Sequence, residues 1–308
     1  MQLLTKFASF AVAFVMGSAA LASEQIPQSG RIAIHVEHGE WGTARVQDIE
    51  KVLRSVAGVL LPYFPQRASE RIVVVFNEQG PRILLEKSPD GSHQVLLNVQ
   101  DTRWDQFAYQ FSHELCHIFT NFEHREISRD SATRDHQWFE ETLCEAVSLF
   151  ALNRLASSWE RSPPYPGWEE YAPAFREYAN RLLTETHRHL QTNEPIARWF
   201  RANQMALNGN PYLREKNELL ATRLLSMLEN TPGSLEAIGY LNLEGSPSAR
   251  SLRAYLESWY SCCPEKYRAF ISQVIALFEE RDVSSETAVA LTFSDQPYTD
   301  PRPLAGHM

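Results

Sequence analysis

Residues 113–117 read His113-Glu114-Leu115-Cys116-His117, and the spacing of the two histidines decides the fold that we expect around them. On a helix, side chains four residues apart project from the same face, about 40° from each other, so both imidazoles can bind one metal ion. Glu114 lies about 60° round the helix from His117, within reach of a water on that ion but poorly placed as a ligand. The stretch therefore predicts two metal ligands and an acid–base carboxylate on a single helix.

A third metal ligand is expected on a second helix. A catalytic zinc site takes three protein ligands and keeps one position for water. The segment 138–146 offers three carboxylates, Glu140, Glu141 and Glu145. Glu141 and Glu145 share a helix face, whereas Glu140 points about 100° away from Glu141. We assign Glu141 to the metal, keep Glu140 as a second ligand candidate, and expect Glu145 to accept the outer N–H of a ligand histidine.

The two segments together carry a family resemblance. His-Glu-Leu-Cys-His at 113–117 followed by Trp-Phe-Glu-Glu-Thr-Leu-Cys-Glu at 138–145 resembles the gluzincin metallopeptidases, the clan of thermolysin and aminopeptidase N. The resemblance covers about residues 70–230, although the gap between the two segments is a few residues longer than is usual in the clan. It implies one Zn²⁺ per chain, and the implied site residues are the ligands His113, His117 and Glu141, the general base Glu114, and Glu145 as the acid that steadies a ligand histidine.

A further match lies downstream, at Asn-Pro-Tyr-Leu-Arg-Glu-Lys-Asn-Glu-Leu-Leu, residues 210–220. It resembles the helix start that carries a catalytic tyrosine in enzymes like aminopeptidase N. The resemblance implies that Tyr212 donates a hydrogen bond to the oxyanion of the tetrahedral intermediate. Simple packing at a helix start is the alternative for Tyr212, and Tyr171, Tyr178 and His136 are the other candidates for this role.

One element of the aminopeptidases is missing. They carry a Gly-x-Met-Glu-Asn signature that holds the free amino terminus of the substrate, and the corresponding residues 91–99 contain no acid. We therefore expect an endopeptidase, in which an extended peptide pairs with an edge strand before the motif helix. A zinc-activated water attacks the carbonyl, and Glu114 takes its proton and passes it to the leaving amine. The alternatives are a catalytically silent binding or scaffold protein of this fold and a zinc amidase acting on a non-peptide or cell-wall amide.

The hydrophobic pattern predicts an α+β fold. Alternation at 31–36, an apolar run at 72–76 and a further run at 93–99 predict strands of a small mixed sheet, and helical spacing dominates from about residue 101 onwards. We expect a zincin-type catalytic subdomain that combines this sheet with the active-site helices. The predicted divisions are a signal peptide at 1–22, the catalytic subdomain at 23–160, an all-helical C-terminal subdomain at 161–292 and a flexible tail at 293–308.

The start of the chain and its charge predict location and partners. Lys6 precedes an apolar run that ends in Ala20-Leu21-Ala22, the pattern of a cleaved signal peptide, and the run is too short to span a bilayer. The protein is therefore expected in the periplasm or outside the cell, with no stable membrane insertion after cleavage. The formal net charge of −9 argues against nucleic acid and anionic membranes. A peptide or protein substrate is the expected partner.

Two of the four cysteines are expected beside the metal centre. Cys116 and Cys144 each follow a predicted ligand by three residues. If their helices run antiparallel, a disulfide between them would join the helices that hold the metal, and two buried free thiols are the alternative. The sequence leaves the pairing of Cys262 and Cys263 open.

Overall fold

A computed structural model describes residues 32–124, 136–191, 194–243 and 251–279 of the chain. The predicted signal peptide at 1–22 and the predicted tail at 293–308 lie outside these residues. Within them, the helices are too short or too polar for any to cross a membrane.

Among the described residues, four short strands form one mixed sheet, as the sequence pattern predicted. They are β1 (Ala33–Val36), β2 (Arg71–Phe76), β3 (Arg82–Ile83) and β4 (His93–Leu97). The order across the sheet is β1-β2-β4-β3. Strands β1, β2 and β4 are parallel, and β3 pairs antiparallel with β4 at one edge. The strand directly before the motif helix, β4, is therefore internal and not the expected edge strand, and that position belongs to β3. Strand β2 lies between β1 and β4, and Ile72 and Val74 of its apolar run are buried while Val73, Val75 and Phe76 are only partly so.

Helices make up most of the rest, so the α+β fold class is confirmed. The last two helices are separated at Pro264, because proline has no backbone N–H to donate within a helix. The helices are α1 (Val46–Leu60), α2 (Trp104–Phe119), α3 (Gln137–Trp159), α4 (Ala172–Leu183), α5 (Ile196–Gly209), α6 (Arg214–Asn230), α7 (Leu252–Cys262) and α8 (Glu265–Leu277).

Helix α3 lies at the centre of the molecule. It packs against α2, α4 and α6, and most of its side chains between Trp138 and Trp159 are buried on every face. A helix buried all round holds its few polar side chains in a low-dielectric interior, where they need partners. The carboxylates of Glu140, Glu141 and Glu145 are therefore fixed by their contacts rather than by water.

The two predicted subdomains share packing. Trp159 of α3 lies with its ring centroid 4.8 Å from that of Phe175 of α4, and both belong to one hydrophobic cluster that extends from Ile32 to Val274. The boundary at 160–161 stays a prediction.

The two edges of the sheet differ. At β1, the Val36 N–H donates to Glu50 Oε1 at 3.1 Å and the Ile34 carbonyl accepts from Arg54 Nη2 at 2.8 Å, so side chains of α1 cover that edge. At the other edge, β3 lies beside α2, and the Ile83 backbone N–H is directed at the Glu114 carboxylate. The motif helix therefore borders the antiparallel edge strand.

Candidate metal centre

Helices α2 and α3 run antiparallel. His113 contacts Glu141, and Tyr109, one turn earlier on α2, contacts Glu145, one turn later on α3. Contacting residue numbers therefore rise on one helix while they fall on the other. This arrangement brings the face of α2 that carries the two histidines onto the face of α3 that carries Glu141.

The three predicted ligands converge. The Oε2 atom of Glu141 lies 3.2 Å from His113 Nε2 and 3.5 Å from His117 Nε2, and the three donor atoms lie within 4.8 Å of one another. Four donors around zinc at bonds of about 2.05 Å would be separated by about 3.3 Å, the edge of the tetrahedron. Both measured distances agree with that edge, so this cluster can hold a metal ion.

A carboxylate fixes the orientation of His117. Glu140 Oε1 lies 2.6 Å from His117 Nδ1, while the other ring nitrogen, Nε2, faces Glu141. An N–H on Nδ1 that donates to Glu140 leaves the Nε2 lone pair for a cation. Glu140 in turn accepts a hydrogen bond from Asn242 Nδ2 at 3.0 Å through its second oxygen.

The structure places Glu140, and not the predicted Glu145, at Nδ1 of the predicted ligand His117. Glu145 lies about 6 Å further along α3 than Glu141, at the level of Tyr109. Its carboxylate accepts hydrogen bonds from the Tyr109 hydroxyl and from Arg188 Nη2, the latter at 2.8 Å. Helix packing explains the difference, because the His117 ring lies between the carboxylates of Glu140 and Glu141, and Glu145 does not reach it.

The three predicted ligands, His113, His117 and Glu141, form a triad in which the carboxylate favours the negative state and the imidazoles the positive state. Burial opposes ionisation of Glu141, but the charge of His117 and hydrogen bonds from both histidines hold its pKa well below the usual value. Burial also lowers the pKa of His117, and this effect is outweighed by Glu141 and Glu140, so that its pKa lies well above the usual value. For His113, burial lowers the pKa, but the hydrogen bond to Glu141 and the negative charges of Glu114 and Glu141 together outweigh burial, so the pKa is raised. The carboxylates thus favour positive charge at the two imidazoles, which a divalent cation can supply.

Glu114 lies between the triad and the edge strand. It is only 3% exposed, and burial raises its pKa, against the opposing charges of His113 and His117 and the backbone N–H of Ile83. Its carboxylate is not among the donors of the cluster that can hold a metal. A buried carboxylate with a raised pKa, which lies beside the candidate metal ligands but is not one of them, is suited to accept and release a proton.

Tyr212 lies next to the triad at the protein surface. Its side chain is 60% exposed, and its hydroxyl accepts a hydrogen bond from Gln137 Nε2 at 2.8 Å. The same amide nitrogen lies 3.3 Å from Glu141 Oε1, so a single side chain bridges the phenol and the ligand. The other candidates are held elsewhere: Tyr171 donates to Asp105, Tyr178 packs against the Tyr109 ring, and His136 stacks on Tyr255.

Cys116 and Cys144 are free thiols, buried behind the triad. Burial and the contact with Cys116 raise the pKa of Cys144 well above its usual value. The Sγ atom of Cys144 lies 3.5 Å from His117 Nδ1, on the side of the ring that faces away from Glu141. Of the two alternatives for these cysteines, the structure has the reduced pair.

A second cluster has metal-binding side chains, namely Glu185, His187 and Glu218. Glu218 is already paired with Arg188 at 3.1 Å and with Arg214 at 2.6 Å. A cation at this place would have to displace or approach two guanidinium groups. The charge distribution therefore favours the triad as the metal centre.

Two residues near the centre, Gln137 and Asn242, were not found from the sequence, and neither was the contact of Glu140 with His117 Nδ1. Two adjacent acids, Glu140 and Glu141, gave a partial signal, because neighbouring side chains on a buried helix can contact both nitrogens of one imidazole. Asn242 is about 100 residues from α3, and no local pattern links it to the metal ligands.

Comparison with models of known protein families gave no match, and comparison with the curated proteins gave none either.

Proposed function

We propose that the protein is a zinc-dependent metallopeptidase of the gluzincin type that acts as an endopeptidase. The observation that carries the proposal is the convergence of His113, His117 and Glu141. Glu141 Oε2 lies 3.2 Å and 3.5 Å from the two Nε2 atoms, close to the edge of a tetrahedron of zinc donors, and all three donor atoms lie within 4.8 Å of one another. Two imidazoles and one carboxylate, with one vertex left over, make up a donor set typical of catalytic zinc. The mixed sheet with an antiparallel edge strand beside the motif helix supports a zincin-type subdomain.

Zinc, when bound by the triad, would polarise the scissile carbonyl and lower the pKa of water. Glu114 has the position and burial for the proton transfers. It takes a proton from the attacking water and gives that proton to the leaving nitrogen. The raised pKa of Glu114 brings proton acceptance and proton release closer in free energy near neutral pH.

The substrate backbone would lie along β3. This strand forms the edge of the sheet next to α2, and the opposite edge is covered by Glu50 and Arg54. An extended peptide pairing with β3 would pass in front of Glu114 and the triad. Tyr212, on the loop before α6, would donate to the oxyanion once its hydroxyl hydrogen turns towards the substrate.

Endopeptidase action is supported by residues 91–99, which contain no acid to bind a free amine. The titratable side chain of that segment, His93, is fully buried and paired with Glu70. We further propose that the protein is exported, on the sequence of residues 1–22.

Paired variants test the proposal. We expect Glu114→Gln to keep one zinc per chain and to hydrolyse peptides about 10²- to 10⁴-fold more slowly, the usual contribution of a positioned acid–base group. Glu141→Gln should lose zinc and activity together. The exposed Glu86→Gln is the matched control and should behave as wild type. Zinc is measured by atomic absorption and hydrolysis with a library of blocked peptides.

The outcomes separate the alternatives. Hydrolysis at the wild-type rate by Glu114→Gln would refute the assignment of the base. Stoichiometric zinc without cleavage of any peptide would favour a catalytically silent binding protein. Release of products from purified cell-wall material, with no peptide cleavage, would favour the amidase.

A further inference from the structure

We infer that Asn242 is a positioning residue of the metal centre: its side-chain amide holds the Glu140 carboxylate against His117. The inference rests on the proposed function, because it concerns how tightly and in what geometry the triad binds its metal. Asn242 comes from the segment between α6 and α7, far in sequence from both ligand helices.

A continuous chain of hydrogen bonds supports the inference. The Tyr255 hydroxyl donates to Asn242 Oδ1 at 2.9 Å, and Asn242 Nδ2 donates to Glu140 Oε2 at 3.0 Å. The other oxygen of Glu140 contacts His117 Nδ1 at 2.6 Å. All four side chains are buried, and Glu140 is completely so. In a low-dielectric interior, a hydrogen bond to a carboxylate is strong and its direction is well defined.

The same amide nitrogen also contacts the helix that bears the histidines. Asn242 Nδ2 donates to the carbonyl of Thr120, the residue directly after α2, at 3.0 Å. One amide thus bonds to the end of α2, which carries His117, and to the start of α3, which carries Glu140 and Glu141. Its loss would loosen the position of the imidazole relative to the third ligand.

The backbone explains why an asparagine occupies this position. Asn242 has a φ of +57°, in the left-handed region where asparagine is one of the few tolerated residues with a side chain. Glycine also adopts this conformation without strain. An Asn242→Gly variant therefore removes the amide and preserves the turn.

A matched control exists in Asn121. It is also buried, also has a φ of +57°, and also donates from Nδ2 to carbonyls, those of Gly239 and Leu241. Its described contacts do not include Glu140. Asn121→Gly therefore removes the same chemical group from the same backbone conformation nearby, without touching the carboxylate that orients His117.

The experiment measures zinc affinity by competition with a chromophoric chelator. We expect Asn242→Gly to bind zinc 10- to 100-fold more weakly, the usual effect of losing a group that orients a metal ligand. The zinc affinity of Asn121→Gly should stay within about threefold of wild type. Tyr255→Phe should lower the zinc affinity by about three- to tenfold, because the Asn242 amide loses the hydrogen bond from the Tyr255 hydroxyl. Visible spectra with Co²⁺ in place of zinc should shift for Asn242→Gly and not for Asn121→Gly.

Equal zinc affinity in wild type and Asn242→Gly, or equal weakening in the two glycine variants, would overturn the inference. If Asn242→Gly does not fold by circular dichroism of the metal-free protein, Tyr255→Phe decides, since it keeps the ring and loses one hydroxyl. A wild-type protein that takes up no zinc would instead refute the proposed function. If the wild type binds zinc and the Asn242 and Tyr255 variants bind it equally well, only the positioning role of Asn242 is refuted.

Discussion

Two adjacent carboxylates of α3 contact the two different nitrogens of His117. Glu140 lies at Nδ1 and Glu141 at Nε2. The nitrogen that each acid contacts separates an orienting role from a ligand role, and a sequence cannot distinguish them, because both acids are compatible with either role. Which acid contacts which nitrogen depends on how far each helix is rotated about its own axis.

The hydroxyl of Tyr212 gives a prediction that leaves the metal untouched. We expect Tyr212→Phe to lower kcat by about 100-fold, the loss seen when one donor to an oxyanion is removed, with zinc content unchanged. Tyr260→Phe, on α7, serves as the control. Steady-state kinetics with a blocked peptide measures the effect, and a variant with wild-type kcat would leave Tyr212 with a packing role.

Glu70 gives a prediction about acid stability. The hydrogen bond from His93 lowers its pKa most, and Arg67 and Lys87 lower it further against burial, so its pKa lies far below the usual 4.5. A carboxylate with a depressed folded-state pKa stabilises the protein above about pH 4.5, and this contribution is lost as the pH falls further.

We therefore expect Glu70→Gln to lower the free energy of unfolding at pH 7, and the difference from wild type to shrink towards pH 3. Urea unfolding of metal-free protein at the two pH values measures it, with the exposed Glu86→Gln as the control. A difference that stays constant with pH would contradict the ion-pair explanation.

At the scale of elements, periodicity predicted most of the fold. The apolar run at 72–76 and the helical spacing from about residue 101 are strong signals: β2 covers Arg71–Phe76, and α2 begins at Trp104. The prediction that Glu145 contacts the outer nitrogen of a histidine was wrong, because helical spacing shows only which residues share a face. It does not show how far one helix slides along another, and Glu145 lies level with Tyr109 and not with a ligand.

The difference between the sheet edges leads to a prediction about substrates. If peptides pair with β3, an N-methyl group on a backbone amide that pairs with the strand removes one hydrogen bond, worth about 1 kcal/mol. We expect KM for such a peptide to rise at least fivefold, while methylation several residues from the cleaved bond has no effect. Matched synthetic peptides test this, and equal KM values across the series would exclude pairing with the strand.

At the scale of the whole molecule, metal binding should be visible as stability. An ion bound only by the folded chain, at a hundredfold excess over Kd, adds about 2.7 kcal/mol to the free energy of unfolding, or about 5 °C in Tm for a chain of this size. We expect this shift for wild type and for His187→Ala, and none for His113→Ala. Differential scanning calorimetry with and without zinc measures it. If the zinc-dependent shift in Tm is lost in His187→Ala instead, the metal site would be assigned to the cluster of Glu185, His187 and Glu218.

The antiparallel pairing of α2 and α3 also leads to an expectation about when the metal would bind during folding. Two donors stand on one helix and the third on another, and they meet only after a large apolar interface has closed between the helices. Capture of the ion would then be a late step and its release an early one, so that added zinc would prolong the lifetime of the native state and hardly accelerate its formation.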